Sequence, residues 1–127
     1  MKKKLLVCLV FVLMLGTLLS TDVQAYTQGF AGSAGSFWRL VGEANTKDDD
    51  DDTAAVNWKT SNYQYHKMMF RIVNSDGDNR GQITIDRPNK GVKFFSTDAA
   101  QGYYYYLRAK REHYTNPSTY VTGFWAP

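Results

Sequence analysis

Beyond residue 25 the chain shows no sustained apolar period of 3.6; short apolar and aromatic runs alternate instead with polar positions and turn formers. The period-two pattern is clearest at Met68, Phe70 and Ile72, which fall on one side of an extended segment, with Lys67 and Arg71 on the other. Ile83 and Ile85 likewise share a side opposite Gln82, Thr84 and Asp86. Strands are predicted over Phe37–Val41, Ala55–Thr60, Tyr65–Asn74, Gln82–Asp86, Val92–Ser96, Gly102–Lys110 and Thr119–Trp125. The separators carry turn chemistry: Asp76-Gly77-Asp78-Asn79, Arg87-Pro88-Asn89-Lys90-Gly91 and Asn116-Pro117-Ser118. Glycine and asparagine supply positive φ there, and proline fixes φ and has no amide to donate to a ladder. This spacing predicts an all-β fold, a small antiparallel β-sandwich or barrel of about seven strands. Residues 26–36, rich in Gly, Ala and Ser, read as a flexible arm ahead of a single β domain over 37–127, with no internal repeat.

The first 25 residues follow a different plan. Lys2, Lys3 and Lys4 precede an apolar run from Leu5 to Leu19, and Val23 and Ala25 occupy the −3 and −1 positions of a signal-peptidase site. That run is shorter than the ~20 residues needed to span a bilayer, so a cleaved signal peptide over 1–25 is expected rather than an anchor. Cys8 follows Val7 and has most of the apolar run after it, the wrong place for a lipidation cysteine. A secreted, extracellular product with no stable membrane anchor is therefore expected.

Removing that leader changes the charge and the redox reading. The full sequence of 127 residues carries a net charge of +3 and one cysteine. Without residues 1–25 it loses three lysines and Asp22, so the charge falls to +1, and Cys8 leaves with them. A basic balance that belongs mostly to the leader is no sign of nucleic-acid binding. An exported domain of about 100 residues with no disulfide points to a Gram-positive bacterium, since small extracellular domains elsewhere lean on disulfides. The length excludes a TIM barrel, a two-domain dehydrogenase and a polytopic membrane protein, and the 15% aromatic content argues against a disordered chain. Charge is uneven along what is left, net −3 over residues 26–62 and net +4 over 63–127, the acidic excess lying in Asp48–Asp52.

Five adjacent aspartates suggest Ca²⁺, because hard cations take several carboxylate oxygens. The EF-hand pattern fails: counted from Asp48, position 6 is Thr53 rather than Gly and position 12 is Lys59 rather than Glu. The run reads as a solvated loop. Asp76, Asp78 and Gly81 echo a calcium loop too, but Arg80 and Arg87 oppose a cation, and a hairpin turn fits better. His66 and His113 are 47 residues apart with no cysteine or paired histidine nearby, so no zinc site is expected. The chain's glutamates, Glu43 and Glu112, lie in no catalytic motif, and Ala31-Gly32-Ser33-Ala34-Gly35 lacks the α/β context of a nucleophile elbow. No phosphate-cradling or dinucleotide motif is present. No cofactor and no enzymatic activity are expected. Trp38, Trp58 and Trp125 lie within predicted strands and read as core.

The run Tyr103 to Arg111 carries the functional reading. On a strand, Tyr103, Tyr105, Leu107 and Ala109 take one side, suited to a core, and Tyr104, Tyr106, Arg108 and Lys110 take the other. The second set makes a half-wet platform of phenol rings beside cations, fit to stack on sugars or hold an anionic polymer such as teichoic acid. Tyrosine is also simply a good strand former and cross-strand partner.

The closing residues Val121-Thr122-Gly123-Phe124-Trp125-Ala126-Pro127, with the Tyr-rich strand and the leader, resemble a family of small secreted Gram-positive proteins classed as a domain of unknown function. Its members close with Ser/Thr-Gly-x-Trp-Ser-Pro; Ala126 stands here in place of the serine. More distantly, the plan is similar to the lactococcin family of β-sandwich bacteriocins. The resemblance implies an exported β domain and brings no catalytic residue. A secreted, non-enzymatic protein that binds a cell-wall polymer or bacterial surface through Tyr104, Tyr106, Arg108 and Lys110 is the first expectation, and a bacteriocin-like antimicrobial the second.

Overall fold

All seven predicted strands are present, each overlapping its expected range, and an eighth precedes them. The computed structural model describes residues 27–63, 66–112 and 118–127; the segment expected to be a signal peptide, Tyr65, His113 and the turn expected at Asn116-Pro117 lie outside the described residues. The strands are β1 (Gln28–Ala34), β2 (Arg39–Thr46), β3 (Thr53–Ser61), β4 (Met68–Val73), β5 (Asn79–Ile85), β6 (Lys93–Ser96), β7 (Tyr104–Arg111) and β8 (Thr119–Ala126). They form two four-stranded sheets, ordered β1-β8-β3-β6 and β2-β7-β4-β5, with every pairing antiparallel. The described residues contain no helix.

Period-two patterning decides which face each strand buries. Met68, Phe70 and Ile72 of β4 and Leu107 and Ala109 of β7 point inward from one sheet; Val56, Trp58, Val121 and Trp125 meet them from the other. The Phe70 ring sits at the centre, edge-on to Trp58 with centroids 5.8 Å apart and tilted against Phe30 at 5.7 Å. Such aromatic pairs add roughly 0.5–1.5 kcal/mol beyond the area they bury. Gly77, Gly91 and Asn89 adopt positive φ in the β4–β5 and β5–β6 turns, as the turn chemistry requires.

The segment expected to be a flexible arm is instead strand β1, paired with β8 from Gln28↔Trp125 to Ala34↔Thr119. Its small residues hid it because they lack the β-branched bulk by which strands are recognised. Here that smallness lets the backbones close. A Cβ on Gly32 would come 2.9 Å from Val41 Cγ1, and one on Gly42 would come 2.7 Å from Trp125 Nε1 and 2.8 Å from Leu107 Cβ. Gly42 also marks register shifts of β2 against β7, a bulge that lets the Trp125 indole lie against bare backbone.

Gly123 in β8 is the tightest of these positions: a Cβ would run into the Asn57 carbonyl oxygen and the Phe30 ring. Gly123→Ala is expected to destabilise the protein by about 3 kcal/mol, because a backbone carbonyl has no room to yield. Gly29→Ala, whose nearest neighbour would be the Gly123 oxygen at 3.9 Å, is expected to stay within about 0.5 kcal/mol of wild type. Urea unfolding midpoints of the two variants check the difference.

Candidate functional site

Strand β7 separates its side chains as the alternation requires. Tyr105, Leu107 and Ala109 are buried; Tyr106, Arg108 and Lys110 are partly exposed, and Tyr104 is 62% exposed. Tyr104, Tyr106, Arg108 and Lys110 thus come together along one strand, on the outer face of the β2-β7-β4-β5 sheet. Tyr103 does not follow the expected pattern. It stands one residue ahead of the strand, after Gly102 at φ +87°, and is 66% exposed rather than buried.

The neighbouring strand adds a third cation. Register pairs Arg71 of β4 with Arg108, and Met69 with Lys110. Trp38, expected in the core, lies just before β2 and covers these charges from outside: Arg71 Cζ is 4.0 Å from its ring centroid and Lys110 Nζ 5.4 Å. A cation over the indole face gains roughly 0.5–2 kcal/mol, depending on desolvation. Trp38 escaped the sequence reading because its apolar neighbours Phe37 and Leu40 make it look like one more inward strand residue; Trp38 is half-buried on the outer face, and both neighbours are exposed.

The electrostatics of this face are one-sided. Arg71 Nη2 donates to Gln82 Oε1 at 3.0 Å. Burial, and then the Arg108 guanidinium opposite, pull the Arg71 guanidinium below its usual pKa range. The ion pairs among the described residues are Lys47–Asp49, Lys67–Asp86 and Arg80–Asp98, so no described carboxylate neutralises Arg71, Arg108 or Lys110. Like charges directly across two strands oppose each other. An anion set between Arg71 and Arg108 relieves both the repulsion and the lost solvation.

Beyond Tyr106 the face runs into a groove of about 560 Å³ between the β4–β5 turn and the β6–β7 loop, lined by Tyr103, Tyr104, Tyr106, Ser75, Asp76 and Asp98 among others. Asn74 shapes the first wall, its Oδ1 accepting from the amides of Asp76 at 3.1 Å and Asp78 at 2.8 Å. The second wall is held by the Tyr105 hydroxyl, which accepts from Ala100 N at 2.7 Å and donates to Ala100 O at 3.2 Å.

The β6–β7 loop is tied in turn to Lys47. Lys47 N donates to Tyr103 O at 3.0 Å, Gly102 N donates to Lys47 O at 2.7 Å, and Gln101 Nε2 donates to Asp48 O at 2.8 Å. The Lys47 side chain is fully buried, its ammonium donating to Asp49 Oδ1 at 2.7 Å, Pro127 O at 3.2 Å and Thr53 O at 3.3 Å. The aspartate run therefore contains one structural member. Asp49 is the counter-ion of a buried ammonium and also accepts from Asp51 N at 3.2 Å; no group of three potential metal ligands forms among the described residues.

Removing one partner of a buried, hydrogen-bonded charge leaves the other uncompensated. Asp49→Ala is expected to cost about 2 kcal/mol, whereas Asp50→Ala and Asp52→Ala are expected to stay within about 0.5 kcal/mol. Thermal melts of the three variants under one buffer distinguish one structural aspartate from a run whose members contribute alike.

No protein-family model matches the chain, and no curated protein matches it either.

Proposed function

We propose that the chain is an exported, non-enzymatic protein that holds an anionic polymer of a bacterial surface on the outer face of the β2-β7-β4-β5 sheet. Tyr104, Tyr106, Arg108 and Lys110 are its contact residues, with Arg71 and Trp38 completing the surface. The observation that carries this reading is the row of three cations, Arg71, Arg108 and Lys110, with no described carboxylate among them and an indole over two of them. Guanidinium groups take phosphate or carboxylate oxygens in two-point contact, and such charge-assisted bonds are roughly twice as strong as neutral ones. Phenol and indole rings beside them offer flat surfaces for the uncharged stretches of the same polymer. A phosphodiester polymer of the teichoic-acid class has both kinds of surface. Export through the N-terminal segment 1–25 is part of this reading, because it delivers the face to that polymer.

Purified protein is expected to be retained on Gram-positive cell walls, to be released by rising salt, and to bind poorly to walls stripped of teichoic acid. Arg71→Gln with Arg108→Gln is expected to weaken retention on the order of a hundred-fold, at roughly 1.5 kcal/mol or more for each lost charged contact. The same double variant is expected to melt within a few degrees of wild type, since the relieved cross-strand repulsion offsets the Arg71 contacts to Trp38 and Gln82 that are lost. Tyr104→Ser with Tyr106→Ser is expected to abolish retention at moderate salt. Co-sedimentation with walls across a salt series checks all three, and retention unchanged in both double variants overturns the assignment of this face.

A further inference from the structure

The groove at the Tyr104 end of β7 differs chemically from the cationic end of the same strand. Side chains two apart on a strand advance by roughly 6.5–7 Å, so Tyr104 and Lys110 lie about 20 Å apart along one face. At the Lys110 end the face carries Arg71 and Lys110 against the Trp38 indole, while the Arg108 guanidinium, midway along the strand, reaches toward Gly77 of the β4–β5 turn. At the Tyr104 end the groove is lined by two carboxylates, Asp76 and Asp98, one guanidinium, Arg80, and the Ser75 hydroxyl. Asp98 is paired with Arg80 at 3.5 Å, and the Asp76 carboxylate has no described partner. Its own amide is already held by Asn74, which fixes the turn that carries it.

These features select the kind of ligand. Carboxylates at the mouth of a site repel phosphate and carboxylate groups, so the anionic part of a polymer stays on Arg71, Arg108 and Lys110. A neutral polyol is accepted, because its hydroxyls donate to Asp76 and Asp98 while its C–H face lies on a phenol ring. Tyr103 and Tyr104, 66% and 62% exposed, present such rings, and their backbone is stitched to Lys47 through Gly102 and Tyr103. A prebuilt aromatic surface avoids much of the ordering cost that weakens sugar binding. At about 560 Å³ the groove has the size of a small-ligand site, typically ~300–1,000 Å³.

We infer that this groove binds a neutral pyranose unit, and that the polymer proposed above is recognised as a glycosylated one, with its anions on the cationic end of β7 and its sugar between Tyr103, Tyr104 and Asp76. This inference rests on the proposed anion-binding face for its second half only; the sugar site stands on the groove itself.

The test uses three probes on the whole protein: poly(glycerol phosphate) without sugar, the same polymer carrying hexose or N-acetylhexosamine, and the corresponding free methyl glycosides. Wild type is expected to bind one of the glycosylated polymers about ten-fold more tightly than the bare polymer, and that glycoside at millimolar concentration is expected to shift the amide resonances of Gly102, Tyr103 and Asp76. Tyr103→Ala and Asp76→Asn, tested separately, are each expected to remove the ten-fold preference and leave bare-polymer affinity within two-fold. Arg71→Gln with Arg108→Gln is expected to weaken both polymers and leave the glycoside-induced shifts intact. Equal affinity for bare and glycosylated polymer, with no amide shifts from any glycoside, overturns the inference. If the bare polymer fails to bind while the glycoside shifts persist, the anion-binding reading falls and the sugar site stands.

Discussion

A single buried ammonium organises the end of the sandwich on which the candidate surface depends. Lys47 has almost no contact with solvent, and a carboxylate and two carbonyl oxygens take the place of the water its ammonium gives up. Those three partners belong to the aspartate run, the start of β3 and the end of β8. Its backbone meanwhile bonds both Gly102 and Tyr103. One residue thus fixes four segments that are far apart in sequence, and the loop that presents Tyr103 and Tyr104 inherits its position from that clasp. An apolar residue at position 47 would give the core equal volume but would leave the carbonyls of Thr53 and Pro127 to find other donors.

The opposite requirement governs the outer face of the β2-β7-β4-β5 sheet. Where Lys47 is matched by Asp49, Arg71 and Arg108 are paired across β4 and β7 with no ion pair to a carboxylate among the described residues. Trp38 and Gln82 stabilise this arrangement in part, the indole through its π face and the amide through one hydrogen bond. Both contacts leave the net charge in place. They hold the guanidinium of Arg71 in a fixed plane, which lowers the ordering needed for an anion to dock on it. The two lysine and arginine environments separate structural charge, which is neutralised inside the protein, from charge that no described side chain neutralises.

How much of this was legible in the sequence follows from the physics of each feature. The strands and the division of β7 into inner and outer side chains were legible because alternation is a local property of an extended chain. The four residues Tyr104, Tyr106, Arg108 and Lys110 share a face for that reason alone. Strand β1 was not legible, since Gly29, Ala31, Gly32 and Ser33 carry no apolar bulk and Gly32 acts through the close approach to Val41 that it permits. Arg71 joined the face only through register, which sequence spacing between β4 and β7 does not define. Trp38 and Asp49 were hidden for a related reason: each takes its role from a partner brought up by the fold, a cation cluster in one case and a buried ammonium in the other.

The same geometry joins stability to function in a way that composition alone conceals. A net charge of +3 over the whole chain, most of it in residues 1–25, suggests little electrostatic character. Yet Arg71, Arg108 and Lys110 share one sheet face and none of them is in an ion pair among the described residues, while five of the acidic side chains are gathered in Asp48–Asp52. Such segregation costs folding energy, because opposite charges that would pair on a mixed surface are kept apart. The closely packed core of Trp58, Phe70, Phe30 and Trp125 supplies the rigidity that tolerates it. An anion that binds the folded face and not the unfolded chain then stabilises the protein by mass action. The repulsion between Arg71 and Arg108 is in that sense a store of free energy, which the proposed polyanion would release by taking the place that a carboxylate side chain would otherwise occupy.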